Sequence, residues 1–172
     1  MIKTADLRTL WLLGDPVGHS LSPLIQNTAL EKMGLKLVYL ASRVAAEDFQ
    51  QVVRALPAMG AGGANVTVPH KLRAFEICDL LSERAQTMKA VNTLHFRDGE
   101  IFGDNTDGVG MVRDINDNLG WPVAGKRILV LGAGGAVRGI LGPLLKQRPE
   151  ELVVANRTLE KAEAQDGGMR NN

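Results

Sequence analysis

Two hydroxyl residues sit two positions apart in the stretch Gly14-Asp15-Pro16-Val17-Gly18-His19-Ser20-Leu21-Ser22-Pro23. The pair Ser20 and Ser22 could hold an oxyanion or a polyol, although a helix-capping turn alone would account for Ser22. A second polar group closes an apolar run: Asn65-Val66-Thr67-Val68-Pro69-His70-Lys71. In an extended chain Asn65 and Thr67 share a face. Lys71 follows at the expected start of a helix, where a lone lysine is ordinarily a solvated charge. Asn92-Thr93 and Gly103-Asp104-Asn105-Thr106-Asp107-Gly108 add short polar side chains rich in Asx-turn formers. Polar loops repeated at the ends of apolar strands exceed what turns require, and they suit a small polar ligand.

A different chemistry is written further on. The apolar run Ile128-Leu129-Val130-Leu131 feeds into Gly132-Ala133-Gly134-Gly135-Ala136. Strand, glycine loop and helix in that order bind a dinucleotide pyrophosphate, because glycines admit the phosphates and helix N-terminal amides attract them. The third glycine of the usual fingerprint is Val137 here. A second strand follows about 20 residues on, as the fold requires. Its tip reads Asn156-Arg157-Thr158 rather than Asp or Glu. A guanidinium and a hydroxyl suit a 2′-phosphate, which favours NADP (NADPH) over NAD. The plainer reading of Arg157 is a solvated charge at a helix start.

Alternating elements must carry these loops. Leu10–Leu13, Leu37–Val44, Ala64–Val68, Arg127–Leu131 and Glu151–Ala155 read as strands. Val91–Phe96 and Glu100–Phe102 read as a pair around Asp98-Gly99. Helices are expected from Ser22 as N-cap with Pro23 at the first helical position, ending near Gly34. Leu24, Ile25, Thr28, Ala29 and Met33 recur at helical spacing along it. Further helices are expected over Glu47–Met59, within Lys71–Lys89, over Asp107–Leu119 and over Ala136–Gln147. Strands alternating with helices predict an α/β fold with parallel sheets covered on both faces. The Gly120-Trp121-Pro122 shift sets an expected domain boundary, giving 1–120 and 121–172.

Composition narrows the partners. Lys plus Arg is 20 against 19 for Asp plus Glu, so the net charge of +1 builds no basic field for nucleic acid. One cysteine, Cys78, excludes an internal disulfide framework and a multi-cysteine metal site, and no metal is expected. No apolar run approaches the roughly 18 residues of a membrane span, and Met1–Arg8 lacks a signal-peptide core. A cytoplasmic protein with no membrane partner is the expectation.

Six motifs together, in order and spacing, resemble the shikimate dehydrogenases: Gly14-x-Pro16-x-x-His19-Ser20-x-Ser22-Pro23, Asn65-Val66-Thr67-Val68-Pro69-x-Lys71, Ala90-Val91-Asn92-Thr93, Gly103 to Gly108, Gly132 to Ala136, and Asn156-Arg157-Thr158. The resemblance covers about residues 9 to 164. It implies an N-terminal α/β substrate domain, followed by the start of a Rossmann-type NADP-binding domain that is incomplete at its C-terminal end. It implies reduction of 3-dehydroshikimate to shikimate with NADPH, on the route to chorismate and the aromatic amino acids. Ser20 and Ser22 would hold the carboxylate, and Asn65, Thr67, Asn92 and Asp107 the hydroxyls. Lys71 with Asp107 would form the catalytic pair. Gly132, Ala133, Gly134, Gly135, Ala136, Asn156, Arg157 and Thr158 would bind the cofactor. Hydride delivery to a ketone builds negative charge on oxygen, so a cationic donor there lowers the barrier and supplies the proton. His70 stands where the family is often aromatic and is expected to be structural, as is His19. His95 and Cys78 are expected to pack inside their elements.

On the family's pattern the chain is C-terminally shortened, and three readings compete: an NADP-dependent shikimate dehydrogenase, a shikimate- or quinate-binding module, and an NAD-preferring quinate dehydrogenase. A two-stranded start of a nucleotide domain leaves apolar strand surface uncovered, which favours homo-oligomers.

Overall fold

A computed structural model describes residues 7–158 and 160. The terminal stretch 1–6 and the tail 161–172, including the loss of helical periodicity expected there, lie outside the described residues. The chain divides into two compact units, Met1–Asp104 and Asn105–Asn172. Composition placed a boundary near Trp121; packing draws the line earlier, because the helix that opens at Asp107 packs within the second unit.

The first unit is built on six strands: β1 (Arg8–Gly14), β2 (Leu37–Arg43), β3 (Ala61–Val66), β4 (Leu80–Leu81), β5 (Thr93–Arg97) and β6 (Glu100–Asp104). Their order is β2-β1-β3-β5-β6-β4. β1 runs parallel to β2 and β3, whereas β5 runs antiparallel to both β3 and β6. The sheet is therefore mixed rather than wholly parallel. The reversal between β5 and β6 is local: Asp98 (φ 54°) and Gly99 (φ 83°) both adopt left-handed backbone, the geometry of a two-residue hairpin turn. The hairpin was legible; its insertion into the main sheet was not.

Successive residues of β1 serve opposite faces. Leu13 joins Phe49, Val53, Leu56, Val66 and Leu94 in the main core, under α2 (Phe49–Ala55) and α3 (Lys71–Ile77). Leu12 joins Val17, Leu30 and Tyr39 under α1 (Ser22–Lys32). Each fully buried large apolar side chain contributes about 1.5–3 kcal/mol. The helix expected over Glu47–Met59 is α2 continued by a 3-10 turn at Leu56–Met59, and Lys71–Lys89 resolves into α3, β4 and α4 (Glu83–Met88).

Helix α1 departs from its sequence reading. The apolar stripe of Leu24, Ile25 and Met33 is exposed, and the buried residue is Leu30. The N-cap is Leu21 and Ser22 is the first helical residue. Beside Leu30, Asn27 holds α1 to the sheet: its side chain donates to the Tyr39 carbonyl and accepts from the Tyr39 amide, both at 2.8 Å. Apolar spacing cannot reveal a helix docked by an amide.

The second unit holds α5 (Asp107–Arg113) with a wide turn over Asp114–Asn118, β7 (Arg127–Leu131), α6 (Gly135–Lys146) and β8 (Glu151–Ala155). β7 and β8 pair in parallel register, Arg127 with Glu151 through Leu131 with Ala155. Ile128, Val130, Leu152 and Val154 pack with Leu141 and Leu144, while Leu129, Leu131 and Val153 on the other face are exposed. Helix α5 meets α6 at Gly108, where a Cβ would come within 2.4 Å of the Gly139 carbonyl oxygen.

No helix among the described residues is long and apolar enough to cross a membrane, and no group of three His, Cys, Asp or Glu could hold a metal ion.

Candidate active site

Strand direction gathers the polar loops of the first unit. The C-terminal ends of β1, β2 and β3 lie at one sheet edge because the three are parallel. Thr93, which starts β5, pairs with Asn65, and Asp104, which ends β6, pairs with Thr93. Connections from β1 and β2 leave to opposite faces at this edge, the position where open α/β sheets bind ligands. Ser20, Ser22, Asn65, Thr67, Lys71 and Asn92 all belong to loops or element ends at that edge. Asp107 opens α5 in the second unit.

The hydroxyls form a unit. Ser20 Oγ donates to Ser22 Oγ at 3.1 Å and accepts from the Ser22 amide at 3.2 Å. Two hydroxyls at this separation can both turn to one carboxylate. Their loop is tied to its neighbours, since the Asp15 amide donates to the Val68 carbonyl at 3.0 Å. Asp15–Pro16 and Val68–Pro69 are cis peptides. Gly14 is required here: a Cβ would sit 2.4 Å from Thr67 Cγ2 and 2.8 Å from Val17 Cγ1. Arg43 pairs with Asp15 at 2.6 Å on the surface of the same edge.

Asn65 is bonded on both sides of its amide. Its Oδ1 accepts from the Tyr39 hydroxyl at 2.8 Å. Its Nδ2 faces the Asn92 carbonyl and Thr93 Oγ1, each at 3.4 Å. Thr93 Oγ1 donates to Asn92 Oδ1 at 2.8 Å, and the Asn92 amide donates to the Asp104 carbonyl at 3.0 Å. Burial raises the Tyr39 hydroxyl to about 12, so it is a protonated donor at neutral pH. Lys71 is half-buried at the first turn of α3, and its carbonyl accepts from the Val91 amide at 2.9 Å, joining the lysine's backbone to the Asn92 loop.

Other polar residues at this edge serve structure. His70 is fully buried, stacked on Phe49 with centroids 4.5 Å apart, and its Nε2 donates to the Val44 carbonyl at 2.8 Å. A carbonyl can only accept, which fixes the proton on Nε2. Asp104 is gripped by Ser82 at 2.5 Å and by the Arg84 guanidinium, whose pKa that hydrogen bond raises further. Asn105 is buried and its Oδ1 accepts from the Asp107 amide at 3.1 Å, an Asx turn that starts α5. His19 lies exposed in its turn. His95 points to solvent from β5 rather than packing, because β5 alternates and Leu94 and Phe96 take the buried face. Cys78 ends α3, and burial pushes its thiol up to about 11.

The glycine loop of the second unit fits an anion. Its N-cap, Gly134, brings no side-chain oxygen to α6, and the space around a Cβ there is open. Gly132 has φ +109°, a conformation that excludes L side chains. The Gly132 amide donates to the Ala155 carbonyl at 2.7 Å, which sets the loop beside the tip of β8. There Asn156 Nδ2 donates to the Thr158 carbonyl at 2.7 Å and Arg157 is exposed.

Residues 12–94 match the family model of the shikimate dehydrogenase substrate binding domain, and residues 115–170 match that of shikimate / quinate 5-dehydrogenase. The chain belongs to the shikimate dehydrogenase family. It is 53% identical over 153 residues to the shikimate dehydrogenase (NADP(+)) of Laribacter hongkongensis, covering 89% of this chain and 56% of that one. A shikimate dehydrogenase solved with NADP+ superposes with a TM-score of 0.91 at 39% identity, covering 98% of this chain and 57% of the other. The shikimate dehydrogenase of Thermus thermophilus, solved with NADP(H) and shikimate, gives a TM-score of 0.87 at 36% identity over 94% of this chain and 60% of that one. The chain thus spans little more than half the length of these relatives. The span matched by the first model lies within the first unit and that matched by the second within the second, while the Gly103 to Gly108 motif crosses the boundary between them.

Proposed function

We propose that this chain carries the substrate pole and the phosphate loop of an NADP-dependent shikimate dehydrogenase, which interconverts 3-dehydroshikimate and shikimate in aromatic amino-acid biosynthesis. The observation that carries this is the convergence of Ser20, Ser22, Asn65, Thr67, Lys71 and Asn92 on one edge of one sheet. Shikimate presents one carboxylate and several hydroxyls, which the serine pair and the amide and hydroxyl group match in kind.

In this reading Ser20 and Ser22 bind the carboxylate, while Asn65, Thr67, Asn92 and Asp107 orient the hydroxyls. Lys71 donates the proton to the carbonyl oxygen in the reducing direction, with Asp107 as its acidic partner. The amides of Gly132 to Ala136 hold the pyrophosphate, and Asn156, Arg157 and Thr158 hold the 2′-phosphate. NADPH, when bound, supplies the hydride. A cytoplasmic location accords with this reading.

The test is absorbance at the NADPH band with the full chain, NADP+ and shikimate, and then with quinate. Turnover with shikimate is expected, and Lys71→Ala should lower kcat by about 10²–10⁴-fold while the fold is kept. Near-normal kcat in Lys71→Ala refutes the proton-transfer role. The family description that names quinate supports a second outcome, faster turnover of quinate with NAD. Binding of shikimate without turnover would make the chain a binding module.

A further inference from the structure

We propose that Tyr39 is the positioning residue for Asn65: its hydroxyl, held in place by Asn27 of α1, sets the orientation in which the Asn65 amide meets a hydroxylated substrate. This rests on the shikimate reading above.

The amide orientation follows from donor and acceptor chemistry. The Asn92 carbonyl already accepts from the Val66 amide at 2.8 Å and can offer Asn65 only an acceptor. The Asn65 atom facing it is therefore Nδ2, and Oδ1 faces Tyr39. Both Nδ2 contacts are long, at 3.4 Å, so the amide keeps donor capacity for a ligand hydroxyl. The 2.8 Å bond from the phenol is the short one, and it is what resists rotation of the amide.

Tyr39 is itself fixed at both ends. Asn27 grips its backbone amide and carbonyl at 2.8 Å each. Its ring is buried against Leu12, Val17 and Leu30. Phenylalanine would fill that space without the cost of burying a hydroxyl. The described bond of this hydroxyl goes to a candidate substrate residue. Asn27 lies on the helix that starts at Ser22, so one relay keys the carboxylate hydroxyls and the Asn65 amide to a common frame.

The test uses the full chain and Tyr39→Phe. The Asn65 side-chain amide pair, assigned by NMR, should lie away from free-asparagine positions in the unmodified chain and move toward them in Tyr39→Phe. Shikimate Kd should rise about five- to tenfold. Amide signals that do not move overturn the proposal, and so does an unchanged Kd in a chain that binds shikimate. If the unmodified chain binds no shikimate, the proposed function fails on that count, and the amide signals alone decide the positioning role. Should Tyr39→Phe not fold, fluorotyrosine at the one tyrosine gives a single fluorine resonance. Saturating shikimate should shift it, and no shift overturns the proposal.

Discussion

Gly63→Ala adds one methyl group and should destabilise the first unit by about 3 kcal/mol. The ideal Cβ at Gly63 would lie 2.4 Å from the Leu94 carbonyl oxygen, 3.5 Å from its carbon and 3.7 Å from His95 Cα. All three atoms are backbone, so no rotamer can step aside, and β3 and β5 would have to part by about 1 Å to regain ordinary contact. Only three residue pairs join these strands: Gly63 with His95, Ala64 with Leu94, and Asn65 with Thr93. Separation therefore weakens a large share of the pairing, which places the cost at the upper end of the overpacking range. The adjacent Gly62 is a built-in control. Its nearest neighbour would be Leu10 Cδ2 at 3.6 Å and its φ lies outside the left-handed region. Gly62→Ala should be neutral or stabilising by about 0.4–1 kcal/mol, through loss of unfolded-state freedom. Urea unfolding and thermal melts would read both, with Gly63→Ala losing roughly 12–24 °C in Tm. A cost below about 1 kcal/mol for Gly63→Ala, or an equal cost for Gly62→Ala, refutes the steric reasoning.

Three further outcomes are expected. His70→Phe keeps the stack on Phe49 and removes a buried Nδ1 that has no partner among the described residues, at the expense of the Val44 hydrogen bond. Its stability should stay within about 1 kcal/mol of the unmodified chain, whereas His70→Ala should lose about 3 kcal/mol; equal melting of the two variants would contradict the structural role. Tyr39 titrates near 12 when folded against 10 when unfolded, so the folded state holds this proton more tightly. That stability is fully present below pH 10 and lost as pH rises through 12, a fall of about 3 kcal/mol absent in Tyr39→Phe; superposable alkaline stability curves would contradict it. Arg157→Ala should weaken NADP+ binding about tenfold while leaving NAD+ binding unchanged, and equal losses by fluorescence titration would remove the 2′-phosphate role.

The elements were legible wherever period and punctuation agreed: Arg127–Leu131 into a glycine loop, and Asp98-Gly99 between two strands. The candidate site was legible as motifs, because a serine pair and Asx-rich turns at strand ends are local signals, whereas Lys71 drew attention only through the motif it closes. What sequence could not supply was partnership across strands. Tyr39 reads as one buried position in an apolar run, and nothing in its spacing points to Asn65, two strands away. Asn27 reads as a polar interruption on a helix, yet it docks that helix. His95 read as interior, since alternation assigns two faces without saying which one the core takes.

The stretch from Gly103 to Gly108 illustrates how one motif divides its labour. A Cβ at Gly103 would meet Cys78 Sγ at 2.4 Å, so that glycine exists for packing. Asp104 is held by Ser82 and Arg84, Asn105 builds the turn into α5, and Gly108 admits the backbone of α6. Four of the six positions thus have structural tasks, and substituting them would report on folding before chemistry. Thr106 caps α5 and Asp107 stands in its first turn, and in the proposed reaction the Asp107 carboxylate is the group of this pair that could stabilise a lysine's ammonium or share its proton. Asp107→Asn keeps the size of the side chain and removes its charge, so it probes the proposed proton transfer with less disturbance of the turn than a truncation: a lowered kcat with unchanged melting is expected, and an unchanged kcat would remove Asp107 from the proposed pair.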